Sequence, residues 1–406
     1  MHLLISVLGI LVLLAIAAAC SENIRAIRWR TVSVAFALQL GLGALVLYSS
    51  WGRRALAHLS EAIYQVISYA QAGIEFMFGE LSSDKLGFIF AFNVLPVVIF
   101  FSSFVAVLYY LGIMQWVIRF LGGGLRWLLG TSRAESLSAT ANIFVGHTEA
   151  PMVVKPFIAH MTRSELFAIM VGGLATVAGS VLAGYVGLGV ELKYLLAASF
   201  MAAPGGFLMA KLMVPETETP VEDIDASAAS ETQYTNVFDA AAVGATSGLQ
   251  LAANIGAMLI AFISLIALVN GLLGLVGGWL GMEFLSLQWL LGLLFQPLAF
   301  LLGIPWEETR VAGSLIGQKL VLNEFVAFVD LAAQREHLSE KSVAVVSFAL
   351  CGFANFGSLA VLLGGFATLA PNRRADVANL GLKAVFAGFF ANMMSAAIAG
   401  LFLSLV

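Results

Sequence analysis

Two glutamates stand where a glutamate is costly. Glu149 follows Thr148 and Glu324 follows Asn323, each within a short polar stretch between long apolar runs. An ionised carboxylate at membrane depth costs several kcal/mol unless a partner, water or a function accounts for it. Carboxylates accept hydrogen bonds from hydroxyls, and the neighbouring Thr, Asn and His147 add donors and acceptors. No Lys or Arg adjoins either pair, so the set suits a neutral, hydroxyl-rich ligand better than an anion. Lys155 and Arg163 on the flanks of the first stretch, and Lys319 on a flank of the second, read as interfacial. Asn142 and Thr176 bring oxygen atoms of the kind a hard cation such as sodium takes, with carbonyls of an irregular backbone completing such a set. Both residue types also cap helices, which is the competing reading. His147 can relay protons or hydrogen-bond a ligand; the second role is the expected one.

The surroundings of the two glutamates echo each other. GTSRAESLSATANIFVGHTEAPMVVKPFIAHMTRSE (130–165) and GIPWEETRVAGSLIGQKLVLNEFVAFVDLAAQREHLSE (303–340) each open on a Gly and a charged turn and reach a polar–Glu pair. In both, a second Glu follows the first by 16 residues, Glu165 after Glu149 and Glu340 after Glu324. Each then leads into a long apolar segment with a small-residue interruption, GGLATVAGS (172–180) and CGFANFGS (351–358). The arms of each copy are too short to cross a bilayer twice, so each is expected to be a re-entrant hairpin. Irregular backbone at that depth is tolerated only inside protein or beside water. Paired repeats with interrupted helices mark the binding site of a transporter. Three crossings between the copies would make them inverted.

The background is membrane-like. Of 406 residues, 60% are hydrophobic and 11% charged, with a mean hydropathy of +0.96. Soluble domains run near 45–50% apolar and about 25% charged. A span needs about 20 mostly apolar residues. Stretches of that kind are 3–20, 31–48, 88–111, 166–188, 194–213, 249–276, 285–302, 342–366 and 377–405. Some are expected to re-enter, leaving about eight transmembrane helices. The fold class is thus an all-α polytopic membrane protein with two opposed re-entrant hairpins in an inverted repeat and partly unwound helices. Between the halves, PETETPVEDIDASAASETQYTNVFD (215–239) holds seven acidic and no basic residues and reads as a solvated linker. Cys20 and Cys351 show neither a disulfide framework nor zinc spacing. Nothing resembles a nucleic-acid-binding surface.

The stretch GTSRAESLSATANIFVGHTEAP, with GGLATVAGSVLAGY, NEFVAF and ALCGFANFGSLA, resembles the concentrative nucleoside transporter family over essentially the whole chain. The resemblance implies sodium symport of nucleosides, elevator-type alternating access, a homotrimer and multi-pass insertion in a bacterial inner membrane among its lipids. It implies N-terminal scaffold helices in 1–112, a first transport repeat in 113–213, the linker at 214–240, a long scaffold helix in 241–285 and a second repeat in 286–406. It assigns His147, Thr148 and Glu149 to the nucleobase, with Val181 and, from the scaffold, Leu251. Glu324, Asn355 and Ser358 fall to the ribose hydroxyls, with Phe353 packing near the sugar. Sodium falls to Asn142, Thr176 and the carbonyls of Val145 and Val177. The family usually has glutamine at His147 and often serine at Thr176. The first difference bears on base preference, while the second keeps the hydroxyl.

Proton coupling on the same fold and a passive channel are the alternatives. No GxSxG or HExxH motif supports an intramembrane enzyme.

Overall fold

The computed structural model describes residues 2–82, 88–147, 149–221 and 234–405, and every regular element among them is helical. The chain begins with α1 (His2–Ala19), α2 (Trp29–Gly43, continued by a π-helical turn), α3 (Ser50–Ser68) and α4 (Ala70–Phe78). It continues with α5 (Phe90–Asn93), α6 (Leu95–Tyr110) and α7 (Ile113–Leu129). A cluster of shorter pieces follows: α8 (Arg133–Ala141), α9 (Lys155–Ile158), α10 (Arg163–Ala175), α11 (Gly179–Gly187) and α12 (Leu192–Met213). After the acidic segment come α13 (Val237–Leu280), α14 (Leu287–Leu301), α15 (Thr309–Val321) and α16 (Glu324–Gln334). The chain closes with α17 (Glu340–Leu350), α18 (Phe356–Leu369) and α19 (Arg374–Leu403).

Among the described residues, six helical stretches have the length and composition to cross a bilayer: Trp29–Tyr48, Phe90–Tyr110, Arg163–Gly187, Leu192–Met213, Val237–Leu280 and Pro371–Leu403. Three shorter apolar helices lie at Leu3–Ala19, Leu287–Leu301 and Phe356–Phe366. The stretch 342–366 is therefore not one helix, because α17 ends at Leu350 and α18 starts at Phe356. Asn355 explains the restart: its side chain accepts from the Ser358 N–H at 2.8 Å, an N-cap inside an apolar run. The long helix α13 begins at Val237, inside the acidic segment, where Asn236 accepts from the Asp239 N–H at 2.9 Å. Residues 222–233 of that segment lie outside the described residues.

Apolar helices divide into interior and peripheral ones. α10, α12 and the second half of α19 are buried almost throughout, whereas α13 leaves most of its length uncovered. A helix that is apolar all round belongs inside protein or in lipid, and both kinds occur here. α19 packs against α1, α10, α12, α17 and α18, and so stands behind both interrupted helices. α14 and α15 approach so closely that a Cβ on Gly313 would lie 2.9 Å from the Gln296 backbone nitrogen.

The two repeats are built differently at their tips. α15 and α16 form a helical hairpin with a two-residue turn, Leu322–Asn323, and Asn323 caps α16 by accepting from the Val326 N–H at 2.8 Å. In the first repeat α8 ends at Ala141, and the return arm is a 3-10 turn (Ala150–Val154) and one helical turn, α9. Pro151 and Pro156 sit in those turns and lack the N–H that a continuous α-helix needs. The matched Ser–Glu steps also differ in detail. Thr162, not Ser164, caps α10, in a capping box with Glu165, while Ser339 caps α17 directly.

The foot of α8 is fixed by charge. Lys211 on α12 bonds Glu135 and, at 2.9 Å, the Ser164 hydroxyl, while Glu135 closes a capping box with Ser132. All four side chains are buried. A buried ion pair holds only when further hydrogen bonds satisfy it, as they do here.

Candidate functional site

The hairpin tips meet the helix interruptions. The helix of the first repeat is broken over 176–178, between α10 and α11, and that of the second over 351–355, between α17 and α18. The breaks touch: the Phe353 N–H donates to the Thr176 carbonyl at 3.1 Å. The first tip docks on the first break through the Gly179 N–H, which donates to the Phe144 carbonyl at 3.0 Å. Gly173, in the last turn of α10, leaves room for it, since a Cβ there would lie 2.8 Å from the His147 Cβ.

Glu324, first residue of α16, is 4% exposed, yet both carboxylate oxygens are held. The Tyr185 hydroxyl donates to Oε1 at 3.2 Å and the Asn355 amide to Oε2 at 3.0 Å. Asn355 thus caps α18 with its oxygen and grips Glu324 with its nitrogen. Ser358 sits in the same cap. Tyr185, on α11, is fully buried, with its ring 4.3 Å from Phe328 and 4.8 Å from Phe325. It was not among the residues expected from sequence. The available signal is a lone phenol in an apolar run, which needs a partner for its hydroxyl once buried.

At the first tip Glu149 is exposed, and its carboxylate accepts from the Gly146 N–H at 3.3 Å. His147 packs edge-on against Phe353, ring centroids 4.9 Å apart, and neither ring nitrogen has a hydrogen-bond partner. Neither nitrogen bonds the hairpin backbone, so both are free to meet a ligand. Val181 is buried on α11. Leu251 is half-buried on α13, which packs against α6 and α16. Thr148 lies outside the described residues.

Beside these groups lies an oxygen-rich corner. Asn142 is fully buried and both of its amide atoms lack a partner. It faces the last turn of α10, where a Cβ on Gly173 would lie 3.6 Å from its Oδ1. Thr176, at the end of that turn, donates its hydroxyl to the Gly172 carbonyl at 3.0 Å and leaves its oxygen lone pairs free. Val145 and Val177 are buried alongside. Buried amides are almost always bonded, so an orphaned Asn142 asks for a ligand. An amide oxygen beside a hydroxyl and loop carbonyls is a donor set that sodium accepts. Asn142 occupies the C-cap position of α8, but its side chain does no capping.

One reading needs correction. Lys319 is not interfacial: it is fully buried, donating to the Ala349 carbonyl and the Asn392 side chain. Lys155 is exposed and Arg163 is 44% exposed on its side chain, as expected for interfacial groups. Cys20 and Cys351 are both free thiols.

Three sequence families match consecutive parts of the chain. They are the N-terminus of Na+ dependent nucleoside transporters over residues 8–81, a nucleoside recognition "Gate" over 91–191, and the transporter C-terminus over 194–400. The chain belongs to the Na+ dependent nucleoside transporter family. It is 51% identical to the nucleoside permease NupC of Helicobacter pylori, covering 99% of this chain and 98% of that one. It is 39% identical to sodium/nucleoside cotransporter 1 of Rattus norvegicus, covering 98% of this chain and 63% of the relative. The solved structure of CNTnw in an inward-facing substrate-bound state superposes with a TM-score of 0.94 at 55% identity, covering 99% of this chain and all of that one. A doubly substituted form of CNTnw in an outward-facing state gives 0.97 at 56% identity, covering all of both chains. As a family member the chain is a membrane transporter and not an enzyme.

Proposed function

We propose that this transporter imports nucleosides by sodium symport, with the two hairpins and two interrupted helices moving as one body. The observation that carries the reading is the orphaned, fully buried Asn142 amide against the α10 turn that ends at Thr176, whose carbonyl is one hydrogen bond away from the break that holds Phe353 and Asn355. Sodium filling the Asn142 corner fixes the first break, and through the Thr176–Phe353 contact that order reaches the sugar pocket. Glu324 accepts from the ribose hydroxyls, with Asn355 and Ser358 beside it. His147, Thr148 and Glu149 meet the base, walled by Val181, Phe353 and Leu251. The carbonyls of Val145 and Val177 complete the cation site with Asn142 and Thr176.

Supporting sodium, a relative over nearly the whole chain is named a sodium/nucleoside cotransporter. Supporting alternating access, solved relatives exist in inward-facing and outward-facing states. Residues 113–213 and 286–406 form the moving transport domain, both repeats re-entrant and inverted. The scaffold consists of 1–112 and the long helix within 241–285. The uncovered apolar length of α13 offers the surface for a homotrimer and for lipid. The site of action is a bacterial inner membrane.

Binding of uridine to the purified protein, titrated in sodium chloride and in choline chloride, tests the linkage. Sodium must tighten uridine binding and uridine must tighten sodium binding by the same factor. Equal uridine affinity in both salts rejects the reading.

A further inference from the structure

Lys319 and Asn392 take no part in the proposed binding set, yet together they bond the ends of both interrupted helices. They are 0% and 1% exposed. The Lys319 ammonium donates to the Ala349 carbonyl at 2.7 Å and to the Asn392 side-chain oxygen at 2.6 Å. The Asn392 amide nitrogen donates in turn to the Ala175 carbonyl at 2.6 Å and the Cys351 carbonyl at 2.9 Å. Ala175 ends α10, and Ala349 and Cys351 lie at the end of α17. The last carbonyls of a helix lack intrahelical partners and carry partial negative charge. A buried ammonium and a donor amide at that point answer both needs. The Phe389 ring, 5.7 Å from the ammonium, adds a cation–π contact.

The location has a counterpart in the other repeat. Thr176 follows Glu149 by 27 residues, and Cys351 follows Glu324 by the same interval. Where the first repeat presents an orphaned Asn142 to its helix break, the second presents a lysine already seated. Lys319 also belongs to the hairpin arm, α15, that leads into the turn at Asn323 and Glu324. Four elements are therefore clasped at one place: α15, α19, and the C-terminal ends of α10 and α17. Packing leaves no slack, because a Cβ on Gly352 would lie 2.2 Å from the Asn392 Oδ1.

We propose that Lys319 and Asn392 form a fixed bracket that sets the separation of the two helix breaks, and so shapes the cation corner and the sugar pocket together. Both are positioning residues: they act through the carbonyls of Ala175, Ala349 and Cys351 and touch neither ligand. The bracket rests on the sodium–nucleoside reading and predicts a signature that simple fold support does not give. Loosening it must weaken both ligands at once.

The test is sodium-driven uridine uptake by full-length protein in proteoliposomes, measured as half-saturation for uridine, half-saturation for sodium, and maximal rate. Lys319→Met and Asn392→Leu should each raise both half-saturation values about tenfold, and the double variant should be no worse than either single. Unchanged half-saturation with only a lower maximal rate, or single effects that multiply in the double variant, overturns the bracket. Should Lys319→Met fail to assemble, Asn392→Asp carries the same test. It keeps an acceptor for Lys319 but faces the Ala175 and Cys351 carbonyls without a donor, and both half-saturation values must again rise. Absence of sodium-driven uridine uptake in the unaltered protein would instead overturn the functional reading, so the two failures are distinct.

Discussion

The Phe353 backbone N–H donates to the Thr176 carbonyl at 3.1 Å, joining the interrupted helix of one repeat to that of the other. Thr176 belongs to the proposed cation corner, and Phe353 stands two residues from Asn355, which grips Glu324. One main-chain hydrogen bond is thus the shortest route between the proposed sodium ligands and the proposed sugar pocket. Removing a side chain on either side should be felt on the other.

Glu324 is held by Tyr185 and Asn355 in an otherwise apolar setting. Glu324→Gln keeps the shape but replaces a charged acceptor, and uridine affinity should fall about 10- to 100-fold. Tyr185→Phe removes one hydrogen bond to the carboxylate and should cost less, about 2- to 10-fold. Both are read from uridine titration in saturating sodium. Wild-type affinity in Glu324→Gln would remove this residue from the site.

Asn142→Ala should raise the sodium concentration needed for half-maximal uptake strongly, while saturating sodium restores much of the rate. The cause is the loss of one of few oxygen ligands around a hard cation. Sodium titration of uptake at fixed uridine gives the answer. An unchanged sodium curve would mean that the orphaned amide serves something else.

His147 carries two free ring nitrogens against Phe353, and Gly173 gives it the space to do so. His147→Ala should weaken nucleoside binding about 2- to 10-fold, the range of a neutral hydrogen bond. His147→Gln should keep uptake and alter the ranking of uridine against adenosine, since a carboxamide presents a different donor and acceptor pair. Gly173→Ala should weaken binding without removing any polar group, because its Cβ must displace His147. Competition of labelled uridine by unlabelled nucleosides reads all three, and an unaltered ranking in His147→Gln would place the imidazole away from the base.

Away from the binding site, Glu22 ties the end of α1 to α10 and α19. The Arg163 guanidinium, bonded to it at 3.0 and 3.1 Å, holds its carboxyl below the usual range, burial opposes, and Lys383 at 3.1 Å adds to the lowering. A depressed carboxyl contributes stability above its unfolded value near 4.3, and that contribution is lost as pH falls through the lower folded value. The groups are partly exposed, so the effect is about 0.2–1 kcal/mol. Thermal unfolding of Glu22→Gln should be slightly below wild type at neutral pH, with the gap closing as the medium is acidified through the carboxylate range. A gap that widens on acidification has the wrong sign.

Much of this architecture is legible in the sequence, and the reasons are specific. The two glutamates stand out because membrane depth makes them expensive, and the matched 16-residue steps mark the repeat. The breaks announce themselves by small residues and by Asn355, a cap in an apolar run. Composition does not report direction, however. Lys319 looks like any lysine near a helix end, and only the convergence of α15, α17 and α19 shows it to be buried. Tyr185 is hidden for the same reason, since its partner Glu324 is 139 residues away. The unequal hairpins follow from Pro151 and Pro156, which were visible, but their effect on the return arm depends on what α8 packs against.

The central claim is sodium-coupled nucleoside import, and gradient-driven uptake tests it most directly. Purified protein in proteoliposomes is given labelled uridine with an inward sodium gradient, an inward proton gradient, or neither. Uridine should accumulate above its external concentration with the sodium gradient alone, and only equilibrate without it. Full accumulation driven by the proton gradient in the absence of sodium, or equal entry under all three conditions, would contradict sodium symport.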